Sequence, residues 1–151
     1  MADTIDNAIE NAVSDQPELI IDGALRTIQT PPNFLLGVFF DKNTRVVTFS
    51  APSEIYGTGI YSFDIYIHFQ NALNDIFEST AVNKRIVGDR VLFDWVVPRE
   101  AYLKAGNVKF SCCFKSMVLA NDEIIVDQEY NTTIASGEVL PGLEVNTNGN
   151  Q

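Results

Sequence analysis

Gly88-Asp89-Arg90-Val91-Leu92-Phe93-Asp94-Trp95-Val96-Val97-Pro98 and, one short insert later, Val108-Lys109-Phe110-Ser111-Cys112-Cys113-Phe114-Lys115 decide the fold of this chain. In the first stretch Val91, Phe93, Trp95 and Val97 fall on one face, Arg90 and Asp94 on the other. In the second, Val108, Phe110, Cys112 and Phe114 alternate with Lys109, Ser111 and Lys115. A period of two belongs to a pleated strand, whose successive side chains point to opposite faces. Both stretches read as long strands of one sheet, with Trp95, Phe93, Phe110 and Phe114 at the centre of its core.

The same alternation recurs upstream. Tyr61 to Phe69 places Phe63, Ile65, Ile67 and Phe69 on one side and Ser62, Asp64, Tyr66 and His68 on the other, a half-buried strand of an antiparallel sheet. Leu19 to Ile21, Leu25 to Ile28, Leu35 to Phe40 and Arg45 to Ser50 are shorter strands, punctuated by Asp22-Gly23 and Pro31-Pro32. Pro52, Gly57 and Gly59 make 51–59 a loop without regular structure. Residues 75–87 carry Glu78, Lys84 and Arg85 and suit exposed edge strands. Pro98 opens and Gly106 closes a helical turn or two, and Ile124 to Tyr130 returns beside the Val108 strand through a turn at Ala120-Asn121-Asp122. Strands of this length and spacing predict an all-β, two-sheet antiparallel β-sandwich of immunoglobulin-like type.

The ends differ from the body. In residues 1–17, Ile5, Ala8, Ile9, Ala12 and Val13 follow the spacing of one helical face, and Asp3, Asp6, Glu10 and Asp15 stand without a Lys or Arg. A short amphipathic helix ending at Pro17 is expected, too short to be stable unless its stripe docks on something. The closing residues are small and polar and read as a flexible tail. The expected organisation is an acidic helical arm over 1–17, the sandwich over 18–136 and the tail over 137–151.

Composition narrows the function. The 151 residues carry 20 Asp and Glu against 10 Lys and Arg, a net charge of −10, so the phosphates of a nucleic acid would be repelled. No stretch approaches the roughly 20 apolar residues that span a bilayer, and the N-terminus lacks a basic start and apolar run of a secretory signal. Neither a nucleic-acid nor a membrane partner is expected. Cys112 and Cys113 are adjacent in a strand and face opposite ways, which suits reduced thiols, with Cys112 in the core, and assembly in a cytoplasm.

No pattern carries catalysis. His68 is the one histidine and lies mid-strand, no Gly-x-Ser-x-Gly elbow occurs, and the cysteines and histidine together make no tetrahedral metal set. Asp41-Lys42-Asn43 and Asn121-Asp122-Glu123 offer oxygens without calcium-loop spacing, and read as turns. No enzyme activity, cofactor or metal is expected. Tyr56, Tyr61, Tyr66 and Tyr130 remain as a candidate aromatic platform for sugar rings, against the plainer role of packing with cross-strand neighbours or other subunits.

The order of the segments carries a resemblance. Leu25-Arg26-Thr27-Ile28 with Pro31-Pro32 and Gly37-Val38, Arg45 to Phe49, Ile65 to Phe69, Phe93 to Val97, Gly106 to Phe110, and Glu129 to Thr133 running on to Leu140-Pro141-Gly142-Leu143-Glu144 resemble a structural module of tailed phages and prophages of Gram-positive bacteria. The chain is similar, over about 19–144, to the N-terminal β-sandwich domain of phage baseplate upper proteins. The resemblance implies a non-enzymatic virion protein, an assembly or adaptor component of the tail baseplate or fibre apparatus. It would be present as a homo-oligomer or in symmetric copies and be assembled in the host bacterial cytoplasm. Baseplate relatives continue into a receptor-binding part, whereas this sequence stops at Gln151, which raises the alternative of a capsid-bound decoration or head-fibre-anchor protein. Ile5, Ile9, Ala12, Val13, Leu140 and Leu143 would then be contacts with other virion proteins, in the tail or on the major capsid protein. A host-surface carbohydrate-binding module, using Tyr56, Tyr61 and Tyr66, is the further alternative.

Overall fold

The computed structural model describes residues 17–143. The expected N-terminal helix, with Ile5, Ile9, Ala12 and Val13, lies outside the described residues, as do residues 144–151.

Thirteen strands are described: β1 (Leu19–Ile21), β2 (Ile28–Gln29), β3 (Leu35–Val38), β4 (Val46–Pro52), β5 (Glu54–Ile55), β6 (Thr58–Gly59), β7 (Asp64–Gln70), β8 (Ile76–Thr80), β9 (Val82–Val87), β10 (Arg90–Val96), β11 (Gly106–Ala120), β12 (Glu123–Asn131) and β13 (Ala135–Leu140). One sheet has the order β2-β1-β4-β10-β9; the other has β3-β13-β11-β7-β8, with β12 also paired to β11. The helical insert after Pro98 is a single 3-10 turn, Arg99–Tyr102.

The two stretches that decide the fold lie in different sheets. β10 pairs β4 from Arg90↔Pro52 to Val96↔Val46, and β11 pairs β7 from Lys109↔Gln70 to Lys115↔Asp64. Their apolar faces meet. Phe93 stacks on Phe49 at 5.3 Å and meets Phe114 edge-on at 5.7 Å, while Trp95 lies 5.5 Å from Phe110 and 5.4 Å from Phe69. All six rings are buried, which removes the largest apolar side chains from water and contributes strongly to closing the sandwich.

Several expectations are corrected. The sheets are not wholly antiparallel: β1 pairs β4 and β13 pairs β3 in parallel. Between β1 and β4 the chain crosses to β3 in the other sheet, so no tight hairpin forces opposite directions there. The strand expected at Leu25–Ile28 shrinks to Ile28–Gln29, because the Asp22 carboxylate accepts the Ala24 and Leu25 N–H groups at 2.9 and 2.8 Å and holds them in a turn. Residues 51–59 are not an irregular loop: β4 continues through Pro52, and β5 and β6 form a small hairpin. Its turn, Tyr56-Gly57, has φ of 52° and 80°, the positive pair of a type I′ turn. At the other end β13 carries the second sheet on to Leu140, beyond the boundary expected at residue 136.

Candidate functional site

The candidate tyrosines do not form one platform. Tyr56 sits on the β5–β6 turn, 64% exposed, its hydroxyl donating to the Ala24 carbonyl at 3.3 Å and its ring edge-on to Tyr130 at 6.1 Å. The Arg26 guanidinium lies 5.7 Å from the Tyr56 ring. Tyr130 itself stacks at 5.9 Å on the core ring of Phe63, so it closes the core instead of facing solvent. Tyr61 is exposed under Lys84, whose ammonium is 5.1 Å from its ring. Tyr66 stands apart, on the outer face of the second sheet opposite Cys113 and Thr80, with the Lys115 ammonium 5.1 Å from its ring. Beside Tyr56 an open groove of about 460 Å³ is bounded by Asp22, Gly23, Pro52, Glu54 and Arg90. Arg90 is already engaged there, donating to Ser50 Oγ and to the Ser50 and Ile21 carbonyls.

The titratable groups are held in structural pairs. His68 Nε2 lies 2.8 Å from Glu78 Oε2, which also faces Lys115 Nζ at 3.8 Å. Cys112 and Cys113 are both free and buried. Burial, the Glu129 carboxylate and a hydrogen bond to it push the Cys113 thiol up to about 11, and burial, with Cys113 beside it, raises Cys112 well above the ordinary thiol range, so neither is a ready thiolate. Asp94, expected on the polar face, is buried there: it accepts from Thr48 Oγ1 at 2.9 Å and Asn83 Nδ2 at 3.0 Å and pairs with Arg85 at 3.3 Å. No group of three or more His, Cys, Asp or Glu positioned to hold a metal occurs among the described residues. Among them, no helix is long and apolar enough to cross a membrane.

Exposed apolar side chains occur along the edge strands β8 and β9 and in turns, and two groups of them stand at the ends of β11. Past Lys115 its neighbour β7 has ended, and β11 continues with β12 alone, pairing Met117↔Val126, Val118↔Ile125 and Leu119↔Ile124. Cross-strand partners share a face, so Met117, Val126, Leu119 and Ile124 form one face of this ribbon and Val118 and Ile125 the other. All six are exposed, Leu119 and Ile124 by 72% and 75%. The signal was present in the sequence: Met117-Val118-Leu119-Ala120 and Ile124-Ile125-Val126 are unbroken apolar runs where a half-buried strand would alternate.

At the Gly106 end of β11, Gly106 pairs Val139, and the next residue, Leu140, pairs Val38 of β3. Val38, Phe40, Leu140 and Leu143 are exposed, Leu143 by 98%. Phe39 and Phe40 are 5.6 Å apart, and the Arg99 guanidinium covers the Phe40 ring at 4.3 Å. The structure thus sets Leu140 beside Val38, with Leu143 and Phe40 three and two residues beyond them; sequence reading leaves Val38 and Phe40 as ordinary strand positions. Their gathering depends on the parallel β3–β13 pairing, which the local pattern does not show. No protein-family model matches the chain, and no curated protein matches it.

Proposed function

We propose that this chain is a non-enzymatic structural protein of a bacteriophage virion, an assembly or adaptor component of the tail baseplate or fibre apparatus built on an immunoglobulin-like β-sandwich. It works in several copies, assembled in the host cytoplasm, and binds other virion proteins, not nucleic acid or membrane. What supports the reading is the distribution of apolar surface. The aromatic core is fully used inside the body, while two groups of exposed apolar residues, Met117 to Leu119 with Ile124 to Val126 and Val38 with Leu140, stand at its two ends, where a rigid body could be joined to neighbours. The sequence resemblance to phage baseplate sandwiches points the same way.

The test is assembly. A variant lacking residues 1–17 is expected to fold, by circular dichroism, and to fail to join particles; normal incorporation would remove the arm from the mechanism. Locating the labelled protein on particles by electron microscopy separates the baseplate from the alternative of a capsid decoration or head-fibre anchor.

One observation favours a second reading, a carbohydrate-binding module: exposed Tyr56 stands at the rim of the groove lined by Asp22, Glu54 and Arg90. Aromatic faces beside polar groups suit sugar rings. Tyr56→Ala with Tyr61→Ala would then reduce adsorption to host cells, and unchanged adsorption would remove this reading.

A further inference from the structure

We infer that copies of this chain associate head to tail, the β11–β12 ribbon of one copy seating on the Val38, Phe40, Leu140 and Leu143 patch of the next. The inference rests on the multi-copy reading above and specifies its contact.

The ribbon cannot be content alone. A two-stranded hairpin is marginal in water, and this one shows apolar side chains on both faces beyond the last support from β7. Its charge selects the occupant. Asp122, Glu123, Asp127 and Glu129 lie along it, and no Lys or Arg occurs in residues 116–151. A second ribbon is a poor match, since edge-to-edge pairing of two β12 strands would bring the acidic residues of both copies together, with Lys115, the partner of Glu129 on β11, at the base of each ribbon and away from Glu123 and Asp127. An anionic bilayer surface would repel the same carboxylates.

The patch at the far end of the same strand offers what the ribbon lacks. It is apolar and carries Arg99 over Phe40 and the exposed Lys42 two residues beyond Phe40, while the one carboxylate between them, Asp41, is turned back to accept the Val38 N–H at 3.0 Å. The two surfaces occupy opposite ends of the 15-residue β11, about 45 Å apart at the rise of a strand, so a copy cannot satisfy its own ribbon with its own patch. Two different surfaces on one chain make a heterologous contact, which closes as a ring or continues as a filament.

Mixing two variants of the full chain tests this. Leu119→Ser with Ile124→Ser disables the ribbon; Phe40→Asn with Leu143→Ser disables the patch, Asn being tolerated at the positive φ of Phe40, 68°. By sedimentation velocity, the parent should exceed its monomer mass of 16.8 kDa with rising concentration and return toward it in high salt. Each variant alone should stay monomeric. Mixed, they should yield a species of twice the monomer mass and no larger, because one intact ribbon and one intact patch remain. A patch variant that associates on its own while the ribbon variant stays monomeric would overturn the head-to-tail geometry in favour of ribbon on ribbon, and a mixture that stays monomeric while the parent associates would overturn this pairing of surfaces. A parent that is monomeric throughout would overturn copy-to-copy contact and leave the ribbon for a different protein, even where the chain still joins particles as the adaptor reading requires.

Discussion

Trp95 shows what a single residue decides here. Its ring lies at the centre of the core between Phe69 and Phe110, yet its indole Nε1 is buried with no hydrogen-bond partner among the described residues. Trp95→Ala should cost about 3 to 5 kcal/mol of unfolding free energy in urea titrations. Trp95→Phe should cost well under half as much, because losing an unsatisfied buried donor offsets part of the cavity. The position of Trp95 was legible from alternation alone; its orphaned N–H was not, since that depends on which groups the second sheet brings over it. Tyr102 is a similar case. Its hydroxyl donates to the Leu36 carbonyl at 3.0 Å, and burial, with the Asp41 carboxylate adding to it, pushes the phenol up to about 12. In both Tyr102 and Cys113 the fold holds the proton more tightly than the unfolded chain does. Stability is therefore whole below the unfolded values of 9.0 for Cys113 and 10.0 for Tyr102, and falls as pH rises toward about 11 and about 12. Urea midpoints measured from neutral to strongly alkaline pH should decline over that window. Tyr102→Phe should flatten the upper part of the decline, and Cys113→Ala the lower.

Individual elements were legible where the pattern was local and lost where it was not. β7, β10 and the first part of β11 show the alternation of core-facing residues, and a strand forms at each, although β7 begins at Asp64 and β11 runs on to Ala120. The 75–87 stretch splits into two edge strands as its charges suggested, but only the fold shows that β8 closes one sheet and β9 the other, with Ala81 at the crossing and its N–H bonded to the Ile65 carbonyl. The β5–β6 hairpin was missed because Gly57 was read as a breaker, whereas its positive φ is what a type I′ turn requires. The β13–β3 contact depends on another glycine. A Cβ at Gly137 would lie 2.8 Å from Leu36 Cγ and 3.0 Å from Phe34 Cδ2. Gly137→Val should therefore cost about 1 to 3 kcal/mol by overpacking, and hydrogen exchange should locate the loss of protection in β13 and β3.

On the scale of the whole molecule, the body and its ends separate stability from association. Leu119 and Ile124 contact little of the core, so Leu119→Ser with Ile124→Ser should change thermal stability by no more than about 0.5 kcal/mol per site while abolishing association of the chain. A large drop in melting temperature would instead make the ribbon part of the fold. The sequence by itself determined the all-β class, the long central strands and the aromatic core, because alternation with period two is written residue by residue and needs no distant partner. It also supplied the charge contrast, with every Lys and Arg at or before Lys115. Only the tertiary structure decided the parallel pairings, the burial of Asp94 and the two apolar ends. Each of these depends on which strands become neighbours across dozens of intervening residues, and that choice is made by packing two sheets together, not by any local run of the chain.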